Sequence, residues 1–302
     1  MLNRLRNCRT LRINDFKLRL EHCGINNPEQ EVLWLISRAL GEPPYKILAR
    51  QNFTDDEISR IEKVISRREK HEPLQYILGE ADFFGRDFFV GPRVLIPRHD
   101  TETLILAVKK IFAPDEKFCF LDWGTGSGCI AITILLEFVK SFAFMLEINP
   151  EAASYAEKNL SRYNLHDRAR IISSLTKIFE QDSEDIVKTI SSLTEFYSQK
   201  NFDMIISNPP YIPSDEINGL EVDVKDYEPH SALDGGADGM KFYSEIFALA
   251  LTCLKRGGYI ILETGDIKQV EALKNFCDKF NFAGEIFDAG NFPRCLIFRR
   301  KE

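Results

Sequence analysis

The sequence predicts an α/β protein in which a mainly parallel sheet, covered by helices on both faces, follows a small all-helical module. Three observations carry this expectation. After Phe118, short apolar runs alternate with helical stretches, the pattern of βαβ units whose strands are buried on both faces. Up to about residue 75 the apolar residues recur with helical periodicity only. The 302 residues are about twice the length of a typical domain, enough for one full-sized core and a smaller companion.

The helical module has signals at the ends of its segments. Asn27 precedes Pro28, an N-cap followed by the residue favoured at the first helical position, and Gly41 with Pro43 and Pro44 closes that helix. Thr54-Asp55-Asp56-Glu57 is a capping-box pattern opening a second helix with Ile58, Ile61, Val64 and Ile65 on one face. Between Pro73 and Pro97, Phe83-Phe84-Gly85-Arg86-Asp87-Phe88-Phe89 reads as a hairpin joining two halves. The expected boundaries are therefore 1–75 for the helical domain, 76–97 for a β-hairpin linker and 98–302 for the α/β domain. In the last of these the runs FCFLDW, FAFMLE, RIISS, DMIISN and YIILE are the expected parallel strands, and GEIF with CLIFR an expected terminal hairpin.

Composition removes several classes of function. Hydrophobic residues make up 44% and charged residues 28%, which excludes wholesale disorder and low-complexity architectures. The most apolar stretch, Cys129 to Val139, is far shorter than the roughly 20 residues of a membrane span and contains Glu137. Seven cysteines are scattered without a Cys-x-x-Cys pair, so neither a disulfide framework nor a metal site is expected, and a reducing compartment is. A net charge of -7 gives no global attraction to a nucleic-acid backbone, and no direct nucleic-acid partner is expected. Arg4, Arg6, Arg9 and Arg12 near the start read as a basic first helix of a cytoplasmic protein. The alternative reading is an organellar presequence, which would place the protein in the mitochondrial matrix.

Three motifs carry chemistry. Asp122-Trp123 is followed by Gly124-Thr125-Gly126-Ser127-Gly128, directly after an expected strand and before an expected helix. Glycines there let the backbone turn tightly and approach a ligand where a side chain would collide. Cys129 occupies the position of the third small residue of a dinucleotide fingerprint, and no Gly-Lys-Ser/Thr follows, so the loop is neither a typical NAD or FAD site nor a P-loop. Glu147 ends the next apolar run, where a carboxylate can accept both hydroxyls of a ribose. The third motif, Ser207-Asn208-Pro209-Pro210-Tyr211, ends the fourth expected parallel strand. Its prolines make a rigid bend with free carbonyls, Asn208 adds a side-chain carbonyl, and Tyr211 an aromatic face.

This set resembles the class I S-adenosylmethionine-dependent methyltransferases that methylate amino groups, a Rossmann-like fold. More narrowly, Pro73-Leu74-Gln75-Tyr76-Ile77-Leu78-Gly79, Val94-Leu95-Ile96-Pro97-Arg98, Thr101-Glu102, Glu228-Pro229, Ala232-Leu233-Asp234-Gly235-Gly236 and Asp238-Gly239 are similar to the peptide chain release factor glutamine methyltransferases, the PrmC/HemK family. The resemblance covers nearly the whole chain. It implies S-adenosyl-L-methionine as methyl donor, held by Gly124, Thr125, Gly126, Ser127, Gly128, Glu147, Leu175 and Asn208, with no metal. It also implies class I release factors as protein partners, docked by the helical domain, the glutamine of a Gly-Gly-Gln motif as acceptor, and substrate contacts from Asn208, Pro209, Pro210 and Tyr211. His99-Asp100 stands where the family usually has Pro-Glu, and Ser174 where it commonly has an acid. The stretch 176–201 is longer than usual.

A primary carboxamide nitrogen is a poor nucleophile because its lone pair is delocalised into the carbonyl. Acceptors at the Asn208 side-chain oxygen and the Pro209 carbonyl would orient it and favour the charge that develops on it. Proton loss can follow transfer, so no catalytic histidine is needed, and Tyr211 is expected to supply a wall for the planar amide. An adenine-N6 methyltransferase acting on RNA or DNA is the rival reading, since an exocyclic amine poses the same hydrogen-bonding problem.

Overall fold

The computed structural model describes residues 13–50, 52–173 and 201–302. The expectations for the four early arginines, for Ser174 and Leu175, and for nearly all of the 176–201 stretch lie outside the described residues. The chain divides into two units, Met1–Glu80 with Glu221–Tyr227, and Ala81–Leu220 with Glu228–Glu302.

The first unit contains α1 (Ile13–His22), α2 (Pro28–Leu40), α3 (Pro44–Leu48), α4 (Asp55–Arg68) and α5 (Leu74–Leu78). Pro28 stands in the first turn of α2 and Gly41 closes it in the left-handed conformation, but the Asn27 side chain makes no capping hydrogen bond. The capping box of α4 is complete: Thr54 N–H donates to Glu57 Oε2 at 2.8 Å and Glu57 N–H to Thr54 Oγ1 at 3.3 Å. Ile61 and Ile65 of α4 meet Phe16, Leu20, Val32, Leu35, Ile36 and Ile47 in one core. Each such side chain contributes about 1.5–3 kcal/mol on burial.

Residues 221–227, far along the chain, are part of this unit and carry α9 (Val222–Lys225). The buried Arg68 guanidinium binds Glu31 at 2.6 Å and Asp223 at 2.7 Å. The Tyr227 hydroxyl donates to the Lys70 carbonyl at 2.6 Å.

The second unit opens with a two-stranded sheet of β1 (Glu80–Phe83) and β2 (Arg86–Phe89). Fully buried Asn159 anchors it, accepting from Phe89 N–H at 2.8 Å and donating to the Phe89 and Ser127 carbonyls at 3.1 and 2.8 Å. After α6 (Glu102–Ile111) come β3 (Cys119–Trp123), α7 (Cys129–Glu137), β4 (Phe142–Leu146), α8 (Pro150–Tyr163), β5 (Ala169–Ile172) and β6 (Phe202–Ser207). Then follow α10 (Lys241–Cys253), β7 (Leu254–Glu263), α11 (Ile267–Lys274), β8 (Phe280–Ile286) and β9 (Cys295–Arg300).

The seven strands are ordered β5-β4-β3-β6-β7-β9-β8. The first five are parallel, and β9 runs antiparallel to both β7 and β8. This is the Rossmann-like, mainly parallel architecture expected from the sequence, terminal hairpin included. Alternate strand residues serve opposite faces. Phe120, Met145 and Ile206 pack with α6, α7 and α8, whereas Leu121, Phe144 and Ile205 pack with α10 and α11. Strand order reverses at β3, so the carboxyl ends of β3 and β6 frame the crevice where such sheets bind ligands.

Candidate active site

The sheet register brings the motifs together. Trp123 pairs with Leu146, Asp122 with Ile206, and Ser207 with Leu262. One or two residues further on, Glu147, Gly124, Asn208 and Glu263 therefore fall in one row across the carboxyl ends of four adjacent strands. Ser207 locks two of those ends, donating from Oγ to the Trp123 carbonyl at 2.7 Å.

Glycine is required in the β3–α7 turn because Gly124, Gly126 and Gly128 have φ of 71°, 55° and 82°. A Cβ at Gly128 would fall 2.8 Å from Met145 and 3.0 Å from Ile132, so this glycine lets the helix start pack on β4. At Gly124 a Cβ would meet nothing within 4 Å, because that side borders a cavity of about 300 Å³. Trp123, Val94, Leu95 and Phe242 give that cavity apolar walls, and Glu147 is set among them.

Glu147 is 8% exposed. Burial raises its pKa, opposed by hydrogen bonds from backbone N–H groups. Those bonds come from Asn149 to Oε1 at 2.8 Å and from Gly126 to Oε2 at 2.9 Å. The Ile148 backbone adds a further hydrogen bond to the same carboxylate. A glycine-floored, apolar-walled cavity with a carboxylate on its lining fits S-adenosyl-L-methionine. Burial pushes Asp122 up to about 7, with hydrogen bonds from the Thr125 hydroxyl and the Ala131 backbone pulling it back.

Asn208 and Pro210 line the same cavity as Gly124, Gly126 and Glu147. The Asn208 Nδ2 group donates to Thr101 Oγ1 at 3.1 Å, which leaves Oδ1 as the side-chain acceptor. Thr125, Ser127, Gly128, Pro209 and Tyr211 are not among the lining residues. The Tyr211 hydroxyl instead donates to Glu263 Oε1 at 3.2 Å, and burial raises its pKa. Its carbonyl accepts from Gln269 Nε2 at 2.7 Å. A Cβ at Gly265 would lie 2.4 Å from the Tyr211 ring, and one at Gly235 2.8 Å from the Tyr211 backbone. The segment from Ala232 to Gly239 is thus the close-fitting back of the Asn-Pro-Pro-Tyr bend. The Ile212–Asp234 bridge joins the two, with Gly235 N–H donating to the Ile212 carbonyl at 2.8 Å. Buried Glu228 ties down the segment after Val94, accepting from Arg98 and, at 3.2 Å, from Ile96 N–H.

Known proteins resemble the chain along most of its length. Residues 13–79 match the PrmC N-terminal domain, and residues 142–280 match the Eco57I restriction-modification methylase family. A release factor glutamine methyltransferase of Geobacter sulfurreducens is 36% identical over 85% of this chain and 86% of that protein. One of Koribacter versatilis is 38% identical over 83% of this chain and 82% of that protein. The chain belongs to the release factor glutamine methyltransferase family. It also matches a bifunctional methyltransferase of Rickettsia bellii, 36% identical over 84% of this chain, but spans only 48% of that longer protein.

Thr101 and Glu263, which hydrogen-bond Asn208 and Tyr211 of the bend, are residues to which the sequence alone gives no role. Thr101 stood in a family segment without an assigned partner, and Glu263 was only the end of an apolar run. Burial pushes Glu263 up to about 7, with the Thr101 hydroxyl, Arg294 and the Tyr211 hydroxyl pulling it back.

Proposed function

We propose that this chain transfers a methyl group from S-adenosyl-L-methionine to the side-chain amide nitrogen of the glutamine in the Gly-Gly-Gln motif of class I peptide chain release factors. The observation that carries the reading is the Asn208 amide, committed through Nδ2 to Thr101 and offering Oδ1 at a cavity that also contains Gly124 and Glu147. Kinship with the release factor glutamine methyltransferases supplies the substrate class.

S-adenosyl-L-methionine, when bound, supplies an electrophilic methyl group on a sulfonium. Gly124 and Gly126 give its amino-acid end room, and Glu147 accepts the ribose hydroxyls. Asn208 Oδ1 at the cavity and the carbonyl of Pro209, the next residue of the bend though not itself among the lining residues, accept the two N–H hydrogens of the substrate amide, which aims the nitrogen and favours the positive charge it gains. With those acceptors fixed before substrate arrives, little reorganisation is left to the reaction itself. The displaced proton passes to solvent after transfer, so the reading calls for no metal and no histidine base. Pro210 limits the acceptor side of the cavity, and Tyr211 holds the bend from behind. Leu175, expected among the residues that hold the cofactor, lies outside the described residues.

Among the described residues no helix is long and apolar enough to cross a membrane, and the reading places the protein with the translation machinery in the cytoplasm. The experiment that tests it offers labelled S-adenosyl-L-methionine together with a class I release factor, ribosomal RNA or DNA. Label on the release factor, removed when its Gly-Gly-Gln glutamine is replaced, is expected. Label on RNA or DNA alone would instead establish the adenine-N6 reading.

A further inference from the structure

Five residues around the cavity form a closed circuit. Glu147 Oε2 accepts from Gly126 N–H at 2.9 Å, and its Oε1 from Asn149 N–H at 2.8 Å. The Asn149 side chain then reaches away from the carboxylate, its Nδ2 donating to the Arg93 carbonyl at 3.1 Å. Arg93 is followed by buried Val94, and a Cβ on Gly126 would lie 3.8 Å from Val94 Cγ2. That is ordinary van der Waals distance, and it returns the circuit to its start. All five residues line the cavity.

The wall that begins at Arg93 is led in by a tight turn. Val94 N–H donates to the Gly91 carbonyl at 3.3 Å, Pro92 supplies the second residue, and Arg93 has a φ of 78°, a conformation that residues other than glycine adopt rarely. A strained turn persists only where its surroundings hold it. The ion pair of the Arg93 side chain with Glu151, 3.5 Å long and exposed on both sides, holds it weakly. The Asn149 amide does more. Its Oδ1 accepts from Glu151 N–H at 2.9 Å and so caps α8, while its Nδ2 takes the Arg93 carbonyl. A backbone N–H can only donate and a carbonyl can only accept, so the two ends together fix which way round the amide sits. A cap by itself could be a serine or an aspartate; a cap that also donates to Arg93 has to be an amide.

We propose that Asn149 is a positioning residue for the cofactor, a latch that ties the Arg93–Val94 wall to the carboxylate at the end of β4. The inference rests on the reading that this cavity takes S-adenosyl-L-methionine. With both ends of its amide engaged, Asn149 acts through Arg93 and Glu147. An unlatched wall must be ordered when the cofactor arrives, and that ordering is subtracted from affinity. The acceptor for the substrate amide sits on the bend after β6, outside the circuit, so the latch governs cofactor binding and leaves the rate at saturation alone.

The test reads three quantities for each variant: Kd for S-adenosyl-L-methionine, kcat with a release factor at saturating cofactor, and the urea midpoint without cofactor. Asn149→Ser keeps a capping oxygen but is too short to reach Arg93. Asn149→Asp keeps the cap and the length but sets an oxygen against the Arg93 carbonyl. Both raise Kd about 5- to 10-fold, the scale of one lost hydrogen bond, with kcat within about twofold of the parent and the urea midpoint close to it. Asn149→Ala loses cap and latch together, so it raises Kd to a similar extent and also lowers the urea midpoint. If affinity instead follows the urea midpoint, falling in Asn149→Ala alone, the residue is a helix cap and the latch is refuted. A kcat that falls as far as affinity refutes it as well. Glu147→Gln, run alongside, separates the two levels of the argument. If it keeps full affinity, the cofactor reading of the cavity fails; if it loses affinity while Asn149→Ser and Asn149→Asp do not, only the latch fails.

Discussion

Glu147 Oε2 accepts the backbone N–H of Gly126 at 2.9 Å. The acid at the end of β4 and the glycine turn after β3 thus hold each other, and the same carboxylate that would take a ribose also sets the loop's shape. Glu147→Gln must turn its NH2 toward one of two N–H donors, those of Gly126 and Asn149. A buried donor left unsatisfied costs about 1–3 kcal/mol. Titration calorimetry with S-adenosyl-L-methionine is expected to show Kd raised about tenfold or more, with kcat at saturation changed less. Affinity within twofold of the parent would contradict this assignment.

The glycines behind the bend make a steric prediction. A Cβ at Gly235 would lie 2.8 Å from both the Cα and the carbonyl carbon of Tyr211, backbone atoms that cannot rotate away. Gly235→Ala is expected to cost about 1–3 kcal/mol, as overpacked sites do, and to lower turnover because the bend itself must shift. Gly219→Ala, where a Cβ meets nothing within 4 Å, is the control. Urea unfolding should find the control within about 0.5 kcal/mol of the parent, and equal losses at both positions would overturn the argument.

Glu263 links stability to pH. Its value is about 7 in the fold against an ordinary 4.5, so between those values the folded chain keeps a proton that the unfolded chain has lost. Stability then falls as pH rises through that window, by up to about 3 kcal/mol from this group alone. Glu263→Gln removes the dependence. Relative to the parent, the variant is expected to gain stability from pH 5 to pH 8, which paired urea midpoints would read. A difference that stays constant with pH would show that the carboxyl does not titrate there.

Much of this was legible in the chain. The alternation of apolar runs and helical stretches after Phe118 determines which elements are strands, and the glycine turn, Glu147 and the Asn-Pro-Pro-Tyr bend all mark strand ends. Asn208 and Thr101 are different, because they are 107 residues apart and no local pattern reports a hydrogen bond across that separation. Glu263 looked like a strand terminus because its partners come from three other segments. Residues 221–227 join the helical unit through Asp223 and Tyr227, contacts that periodicity does not encode. Tyr211 was expected as a wall of the cavity, yet it turns its hydroxyl to Glu263, since a buried phenol needs a partner that the sequence does not identify.

The most direct measurement compares Asn208→Ala with the parent, reading bound S-adenosyl-L-methionine and labelled methyl on the release factor in the same preparations. Losing one preorganised acceptor should lower methyl transfer by about 10²- to 10³-fold while cofactor affinity stays within about twofold. Unimpaired transfer in the variant would mean that some other group receives the substrate amide.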